Sequence, residues 1–229
     1  MMRPTDSGAA LNSPDAFRAL AAPRLRAEPR WPVKPRAAGD DPNAIESPSD
    51  FDLNPDYAEV LIAAPPPRPA AVLVPVVRRA PLTVLLTLRT PHLKAHAGQV
   101  SFPGGKVEER DASAIETALR EAEEEIGLER RLVEPIGFLD TYRTGTGFAI
   151  APLVALVDPD YTLRLDPGEV AEVFEVPLGF LMEPANARLE TRFWRGRDRR
   201  FYALSFSGFD IWGATAGMLH NMRERLFQE

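Results

Sequence analysis

Runs of branched apolar residues follow residue 70 and predict β-strands. The first two runs cover 71–77 and 83–88, and Pro81 between them predicts a turn, so we expect these strands to form a hairpin. Later runs that we expect to extend the sheet structure cover 136–142, 148–157, 172–176, 189–194 and 201–206. The last two flank residues 195–198, which have the composition of a hairpin turn.

Two stretches space their apolar residues for a helix rather than a strand. The first is expected to have Asp111 as its N-cap and to reach about Ile126, with Gly127 as the residue that ends it. The second covers residues 214–227. Strand-like runs outnumber helices and do not alternate with them, which favours an α+β sandwich over repeated βαβ units.

The N-terminal part of the chain has a different composition. Thirteen of the 23 prolines precede residue 70, and this density opposes long helices and central strands. We therefore expect residues 1–68 to form an extension, partly ordered or wrapping, and residues 69–229 to form the main domain. A short helix is expected at 13–20, because Ser13 suits an N-cap and Pro14 suits the first helical position. Wrapping, dimer formation and mobility all remain open as roles for the extension.

Composition narrows the classes of partner. The net charge of −6 and pI near 5.3 oppose a general nucleic-acid binder, because that affinity comes from clustered Lys and Arg. The absence of cysteine excludes disulfides and zinc–thiolate sites. No apolar run approaches the roughly 20 residues of a membrane span, and the first residues lack the apolar region of a secretory signal. We expect a cytoplasmic protein that binds neither nucleic acid nor membranes.

The first predicted helix carries an unusual concentration of acidic residues. At 3.6 residues per turn, Glu121, Glu124 and Glu125 share one face, while Glu123 points elsewhere. Each like-charged pair at these spacings destabilises an isolated helix by roughly 0.2–0.5 kcal/mol, so a compensating cation is expected. Arg120 could supply part of that charge, and a divalent cation could supply more. Taken alone, the pattern fits a solvated helix face equally well.

A glycine pair ahead of this helix changes the balance. Gly104-Gly105 followed by Arg120–Leu128 resembles the Nudix box, whose pattern is Gly, five residues, Glu, seven residues, then Arg-Glu-apolar-x-Glu-Glu-x-Gly-apolar. The C-terminal half of the pattern matches at every fixed position.

The N-terminal half of the box departs from the family pattern. Counting back from Arg120 places Lys106 where Gly is expected and Ala112 where Glu is expected. A shift of one residue uses Gly105 and Asp111 instead. This departure resembles the coenzyme A (CoA) pyrophosphatase branch of the family, in which the glycine pair is followed by a longer loop and Asp-Ala-Ser.

A second motif of that branch resembles residues 85–105 of this chain. Two positions differ from the branch signature, at Thr90 and Lys94; Lys94 keeps the charge of the usual Arg but loses its bidentate geometry. The matching positions are Leu85, Leu86, Thr87, Arg89, Gly98, Phe102, Pro103, Gly104 and Gly105. Residues 145–148, 172–178 and 211–216 also look like this branch.

The resemblance implies a Nudix-type α/β/α sandwich with a mixed central sheet and a hydrolase that needs Mg²⁺ or Mn²⁺. It implies that a backbone carbonyl of the glycine loop, at Gly104 or Gly105, joins the carboxylate ligands of the metal. The implied metal ligands are Glu121, Glu124, Glu125 and Gly105, and the implied catalytic residues are Glu121, Arg120 and Glu124. Arg120 could contact phosphate, although pairing with a neighbouring carboxylate suits it better.

The implied reaction is cleavage of CoA or acyl-CoA to 3′,5′-ADP and 4′-phosphopantetheine or its acyl form. Arg89 and Lys94 are expected to contact phosphate, and His96 and Gln99 to line the pocket. The general base is left open among a box glutamate, Glu169 and Glu172. Alternatives are another nucleoside-diphosphate-linked substrate such as ADP-ribose, a non-catalytic nucleotide-sensing module, and a structural protein with an acidic surface helix. A homodimer is also open.

Overall fold

A central mixed sheet carries the helices on both of its faces. The computed structural model describes residues 8–30, 48–54, 66–93, 96–194 and 196–227. Its strands are β1 (Arg68–Val77), β2 (Thr83–Arg89), β3 (Val100–Ser101), β4 (Gly104–Lys106), β5 (Val133–Phe138), β6 (Tyr142–Arg143), β7 (Phe148–Val157), β8 (Val170–Pro177), β9 (Arg188–Trp194), β10 (Arg197–Phe206) and β11 (Phe209–Trp212). Its helices are α1 (Pro14–Ala21), α2 (Ala114–Ile126), α3 (Leu178–Met182) and α4 (Ala214–Phe227), with short 3₁₀ turns at Arg130–Leu132 and Pro184–Asn186.

Strands β1 and β7 form the middle of the large sheet. They run parallel over ten residue pairs, from Arg68 opposite Phe148 to Val77 opposite Val157. All other pairs in this sheet are antiparallel, including the predicted β1–β2 hairpin. β3 and β8 flank β2, β4 pairs with β1, and β5 and β6 pair with β7. The predicted mixed sheet is therefore confirmed.

Each face of the sheet packs against helices through its own apolar cluster. Alternate residues of β1 and β7, such as Leu73 and Leu153, pack with Ala118 and Ala122 of α2. The opposite side chains of these strands belong to a second cluster that includes Phe17 of α1 and several apolar residues of α4. Strands that are covered on both faces need apolar residues at consecutive positions, which explains the unbroken runs in β1 and β7. The α/β/α sandwich expected from the sequence is confirmed.

A small antiparallel sheet, β11-β10-β9, lies beside the large one. The β9–β10 hairpin was predicted, but its connection is shorter than the predicted 195–198 turn, because Arg197 already pairs with Trp194. β11 was not predicted. Its four residues follow Gly208, which has a φ of 87° and turns the chain back onto β10.

The short N-terminal helix was also predicted and is confirmed as α1. The Ser13 hydroxyl accepts a hydrogen bond from the Ala16 N–H at 3.4 Å, and Pro14 occupies the first helical position. Phe17 and Ala21 are fully buried against the large sheet. The division into 1–68 and 69–229 stays a proposal. Helix α1 belongs to the proposed extension, but it shares an apolar core with the rest of the chain.

Among the residues that the structure describes, no helix is both long enough and apolar enough to cross a membrane.

Helix α4 packs closely on β6 where Gly217 lies against Tyr142. A Cβ added at Gly217 would overlap the hydroxyl and ring of Tyr142, which is held by a hydrogen bond to Asp50 at 3.0 Å. We expect Gly217→Ala to lower the free energy of unfolding by about 1–3 kcal/mol, as overpacked cores do. Gly179→Ala is the matched helical control, since its Cβ would meet only Leu11 at an ordinary 3.8 Å. Urea unfolding measures both variants, and equal stabilities would contradict the described packing.

Candidate active site

Helix α2 holds the acidic residues, and its ends are fixed by local sequence. The Ser113 hydroxyl accepts a hydrogen bond from the Glu116 N–H at 3.2 Å, and Gly127 ends the helix with a left-handed φ of 68°. The predicted end is therefore confirmed, but the prediction that Asp111 is the N-cap is wrong. Asp111 lies two residues before the cap and binds a side chain from the middle of the helix.

Asp111 and Arg120 form a buried, two-pronged ion pair. Arg120 Nε and Nη2 donate to the two Asp111 carboxylate oxygens, both at 2.9 Å. The side chains are 1% and 7% exposed, respectively. The pair holds the pKa of Asp111 well below its usual range and raises that of Arg120. Thr117 also donates to Asp111, which ties the loop before α2 to the helix.

The remaining donors of Arg120 face the acidic side of α2. Nη1 lies 2.9 Å from Glu121 Oε1 and 2.8 Å from Glu124 Oε2, and Nη2 donates to the Lys106 carbonyl. With its donors engaged by protein groups, Arg120 orients carboxylates. The expected pairing of Arg120 with neighbouring carboxylates is therefore present, and its part in catalysis stays a prediction.

Glu125 is the most deeply buried glutamate of the box, with its side chain 4% exposed. Its carboxylate accepts a hydrogen bond from the Gly104 N–H at 3.1 Å and lies 3.5 Å from Arg89 Nη1. Burial raises the pKa of Glu125 to about 8, with the charges of Glu169 and Glu121 adding to the effect. The Gly104 N–H and the distant Arg89 guanidinium therefore compensate only part of the negative charge of this carboxylate.

Glu121 lies against the glycine loop. A Cβ at Gly105 would come within 2.5 Å of the Glu121 carboxylate, so any larger residue at 105 would displace this group. Burial raises the pKa of Glu121, and the charges of Glu124 and Glu169 raise it further. Glu169, at the end of the loop before β8, also lies 3.7 Å from Arg89. Glu121, Glu125 and Glu169 therefore form one acidic cluster.

Gly104 is required by both backbone shape and space. Its φ of 152° is unfavourable for residues with a side chain, and a Cβ there would lie 2.5 Å from the Ala71 carbonyl oxygen. β4 can therefore lie against β1, with Gly104 opposite Val72, only because this position lacks a side chain. This close approach places the Gly104 N–H on Glu125.

Other residues of the helix and of the branch-motif loop lie outside the cluster. Glu123 pairs with Arg130 at 2.9 Å, away from the others, as predicted. The Glu124 side chain is 52% exposed and binds Arg110 as well as Arg120. His96 is exposed and contacts Gln99 at 2.8 Å. Lys94 lies outside the described residues.

Comparison with known proteins decides the family. A family model for the NUDIX domain matches residues 67–203. A Nudix hydrolase named NudL from Escherichia coli strain K12 is 42% identical over 155 residues, which cover 68% of this chain and 81% of the relative. A NudL from Shigella boydii is 41% identical over the same lengths. This chain belongs to the Nudix family. It is a Nudix pyrophosphohydrolase.

Solved Nudix structures are similar at low sequence identity. The Nudix domain of Shewanella oneidensis NrtR, solved with ADP ribose, has a TM-score of 0.44 and 18% identity, covering 76% of this chain and 98% of that one. An Ap4A hydrolase from C. elegans has a TM-score of 0.42 and 18% identity, covering 48% of this chain and 80% of that one.

Nudix enzymes generally use divalent cations, and the donor set here fits such an ion. The carboxylates of Glu121 and Glu125 are oxygen donors of the kind that hard cations bind, and burial together with neighbouring carboxylates raises the pKa of both groups. In the described ranges, no three acidic or imidazole side chains already converge as a metal centre. Binding would therefore require these carboxylates to turn toward a common point.

A separate cavity of about 270 Å³ lies by the opposite face of the large sheet from α2. It is bordered by the 48–53 segment, Tyr142, β10 and α4, with Tyr202 stacked on His220 at 4.1 Å between ring centroids. None of its lining residues comes from α2 or the glycine loop. The cavity and the acidic cluster are therefore two separate regions of the structure.

Sequence reasoning missed the role of Asp111 and did not place Glu169 firmly in the site. The sequence assigns Asp111 to the helix cap because Asp suits that position. Its pairing with Arg120 could have been suspected from the one-residue shift of the box. Glu169 lies far along the chain and has no motif around it.

Loss of the Asp111 carboxylate should be costly. We expect Asp111→Asn to lower the free energy of unfolding by about 3 kcal/mol, because it leaves the buried Arg120 charge without its main partner. Hydrolytic activity should fall as well, since Arg120 would no longer hold Glu121 in place. Glu108→Gln, which removes an exposed partner of Arg110, should change stability by less than about 0.5 kcal/mol. Chemical denaturation measures the free energy of unfolding of both variants. Equal losses would show that the Asp111–Arg120 pair stabilises the fold no more than an exposed ion pair does.

Proposed function

We propose that this Nudix enzyme hydrolyses the pyrophosphate bond of CoA or acyl-CoA, releasing 3′,5′-ADP and 4′-phosphopantetheine or its acyl form. One observation carries the proposal. The segment that resembles the CoA branch contributes both Arg89 and Gly104, and both contact Glu125 of the Nudix helix. The branch motif and the box are thus parts of one site.

Arg89 is suited to hold a substrate phosphate. It lies at the end of β2, where its N–H donates to the Gln99 carbonyl and closes the loop that carries the branch motif. Its guanidinium makes long contacts, at 3.5 Å to Glu125 and 3.7 Å to Glu169. Its Nε has no hydrogen-bond partner among the described residues. Arg89 therefore keeps donors for a phosphate oxygen beside the acidic cluster. Lys94, His96 and Gln99 are proposed to line the substrate side of this loop.

We assign Mg²⁺ or Mn²⁺ to the acidic cluster, with Glu121 and Glu125 as the main ligands and the Gly105 carbonyl beside them. Such a cation neutralises phosphoryl oxygens and lowers the pKa of bound water. Glu124 is proposed as a further ligand that must first leave Arg110 and Arg120. Arg120 keeps Glu121 oriented throughout.

Glu169 is the better candidate for the general base. Its charge acts on both Glu121 and Glu125, and its partner Arg89 is on the substrate side of the site. Glu172 is opposite Leu88 in the β2–β8 pair, and Leu88 packs into the cluster on the face away from α2. Its side chain therefore belongs to the wrong face of the sheet.

A substrate panel tests the proposal directly. With Mg²⁺ or Mn²⁺, purified protein should convert CoA and acyl-CoA to 3′,5′-ADP faster than it cleaves ADP-ribose or a dinucleoside polyphosphate, and chelator should abolish turnover. Product chromatography with ¹⁸O-water adds the position of attack. Cleavage of ADP-ribose with CoA left intact would refute the substrate assignment while leaving the Nudix chemistry standing. Binding of CoA without turnover would favour a sensing module.

Substitutions on one helix separate the proposed ligands from their neighbours. Glu121→Gln and Glu125→Gln should each lower kcat by roughly a hundredfold or more, a loss typical of removing a group that stabilises transition-state charge. Folding should survive Glu125→Gln, because Gln has the shape of a protonated carboxyl. Glu123→Gln is the matched control on the same helix, since Glu123 pairs with Arg130, and it should keep full activity. Similar losses in all three would assign the effect to helix charge in general.

A further inference from the structure

Strand β9 is an open edge with an unusual surface. It is the last strand of the β11-β10-β9 sheet and pairs only with β10 in the part of the chain that the structure describes. Leu189 and Phe193 on this strand are 54% and 75% exposed, and they are the exposed large apolar side chains among the described residues. Because they are four residues apart on one strand, they lie on the same face. An exposed apolar edge strand invites pairing with another strand.

The open edge presents a defined set of backbone groups. Trp194 and Arg197 close the hairpin across a two-residue connection, so they form the hydrogen-bonded pair of the turn. Hydrogen-bonded and non-hydrogen-bonded pairs alternate along antiparallel strands. The N–H and C=O groups of Leu189, Thr191 and Phe193 therefore face the open edge.

The sequence of β9 is complementary to itself when Thr191 of one copy is opposite Thr191 of the other. We propose that two copies of this chain associate through antiparallel pairing of β9 with β9, on a two-fold axis at Thr191. In that register Glu190 of each copy is opposite Arg192 of the other, and Leu189 is opposite Phe193. The six residues with edge-facing backbone groups then pair with one another, which continues the small sheet across both copies.

Neighbouring registers do not have this complementarity. An axis at Glu190 places two glutamates opposite each other and also sets Arg188 against Arg192. An axis at Arg192 places two arginines opposite each other. Like charges that face each other across strands are destabilising, so charge favours the register at Thr191 over these two neighbouring registers.

The side chains that would meet are already held in position. Arg192 lies over the rings of Phe201 and Trp212, at 5.2 and 4.9 Å from their centroids, and this contact fixes its guanidinium on one face of the hairpin. Glu190 is on the same face, 3.9 Å from Arg192 of its own chain and 3.2 Å from Arg188. Leu189 and Phe193 are on the other face. In the proposed dimer, the charged face of one copy therefore continues into the charged face of the other, and the apolar face continues into the apolar face.

Charge reversal tests both the interface and its register. Sedimentation velocity of the wild-type protein at micromolar concentration should give twice the chain mass of 25.3 kDa. Glu190→Arg and Arg192→Glu, each alone, should raise the dissociation constant at least tenfold, and the double variant E190R/R192E should restore the dimer. Phe193→Ser should weaken it without changing the charges. A monomeric wild type overturns the proposal, and so does a dimer that none of these changes weakens. The proposal also fails if the double variant stays monomeric while its circular dichroism and melting temperature match those of wild type.

A single introduced cysteine tests the axis, because the chain contains none of its own. Opposed hydrogen-bonded residues have Cα atoms about 5.5 Å apart, which lies within the range that a disulfide spans. Thr191→Cys should therefore form a covalent dimer under mild oxidation. Ala171→Cys, on the exposed edge strand β8, is the control and should remain monomeric on non-reducing gels. Equal cross-linking of the two variants would overturn the proposed axis. These outcomes do not depend on which pyrophosphate the enzyme cleaves.

Discussion

The arrangement of the site depends on the contacts of one buried group, the guanidinium of Arg120. It joins the loop before α2 through Asp111, the glycine loop through the Lys106 carbonyl, and the acidic face of the helix through Glu121 and Glu124. Glu121, Glu124 and Glu125 lie on one helix face and repel one another. Carboxylates that are ionised beside a packed sheet need a positively charged partner nearby. Arg120 supplies that partner on one side of the face. Glu125, on the other side, has only the distant Arg89 and a backbone N–H as partners, and these do not offset the burial that raises its pKa.

The glycine loop brings the sheet to these carboxylates. Gly104 allows β4 to lie against β1, and Gly105 leaves space that the Glu121 carboxylate fills. A side chain at position 104 would push β4 away from β1, and a side chain at position 105 would displace the Glu121 carboxylate of α2. Because the same loop continues from β2 through the branch motif, its shape also sets where Arg89 lies relative to Glu125. A single loop thus connects the proposed substrate contact with the proposed metal ligands.

Long, strongly patterned elements could be predicted from the sequence, and short or competing ones could not. β7 and α4 were predicted with their observed bounds, since each is ten or more residues long. β3, β4 and β11 have two to four residues, too few for a repeat to show, and they form because neighbouring strands offer free backbone groups. The start of α2 was misplaced because Asp111 and Ser113 are both good N-caps. The Ser113 hydroxyl caps the helix through the Glu116 N–H, whereas Asp111 binds Arg120, nine residues away along the chain.

The irregular spacing of the box has a structural explanation in the same region. Gly105 and Asp111 keep the five intervening residues of the family pattern, while eight residues rather than seven separate Asp111 from Arg120. Residues 112 and 113 precede Ala114, where α2 begins, so the loop has room for the extra residue outside the helix. An insertion within α2 would rotate the later glutamates by about 100° relative to the sheet, since a turn has 3.6 residues. Placed in the loop, it leaves Glu121 and Glu125 in register, and the Asp111 carboxylate still reaches Arg120 with both oxygens at 2.9 Å. The box therefore tolerates variation where the backbone is free of helical hydrogen bonds and not where those bonds fix the direction of the carboxylates.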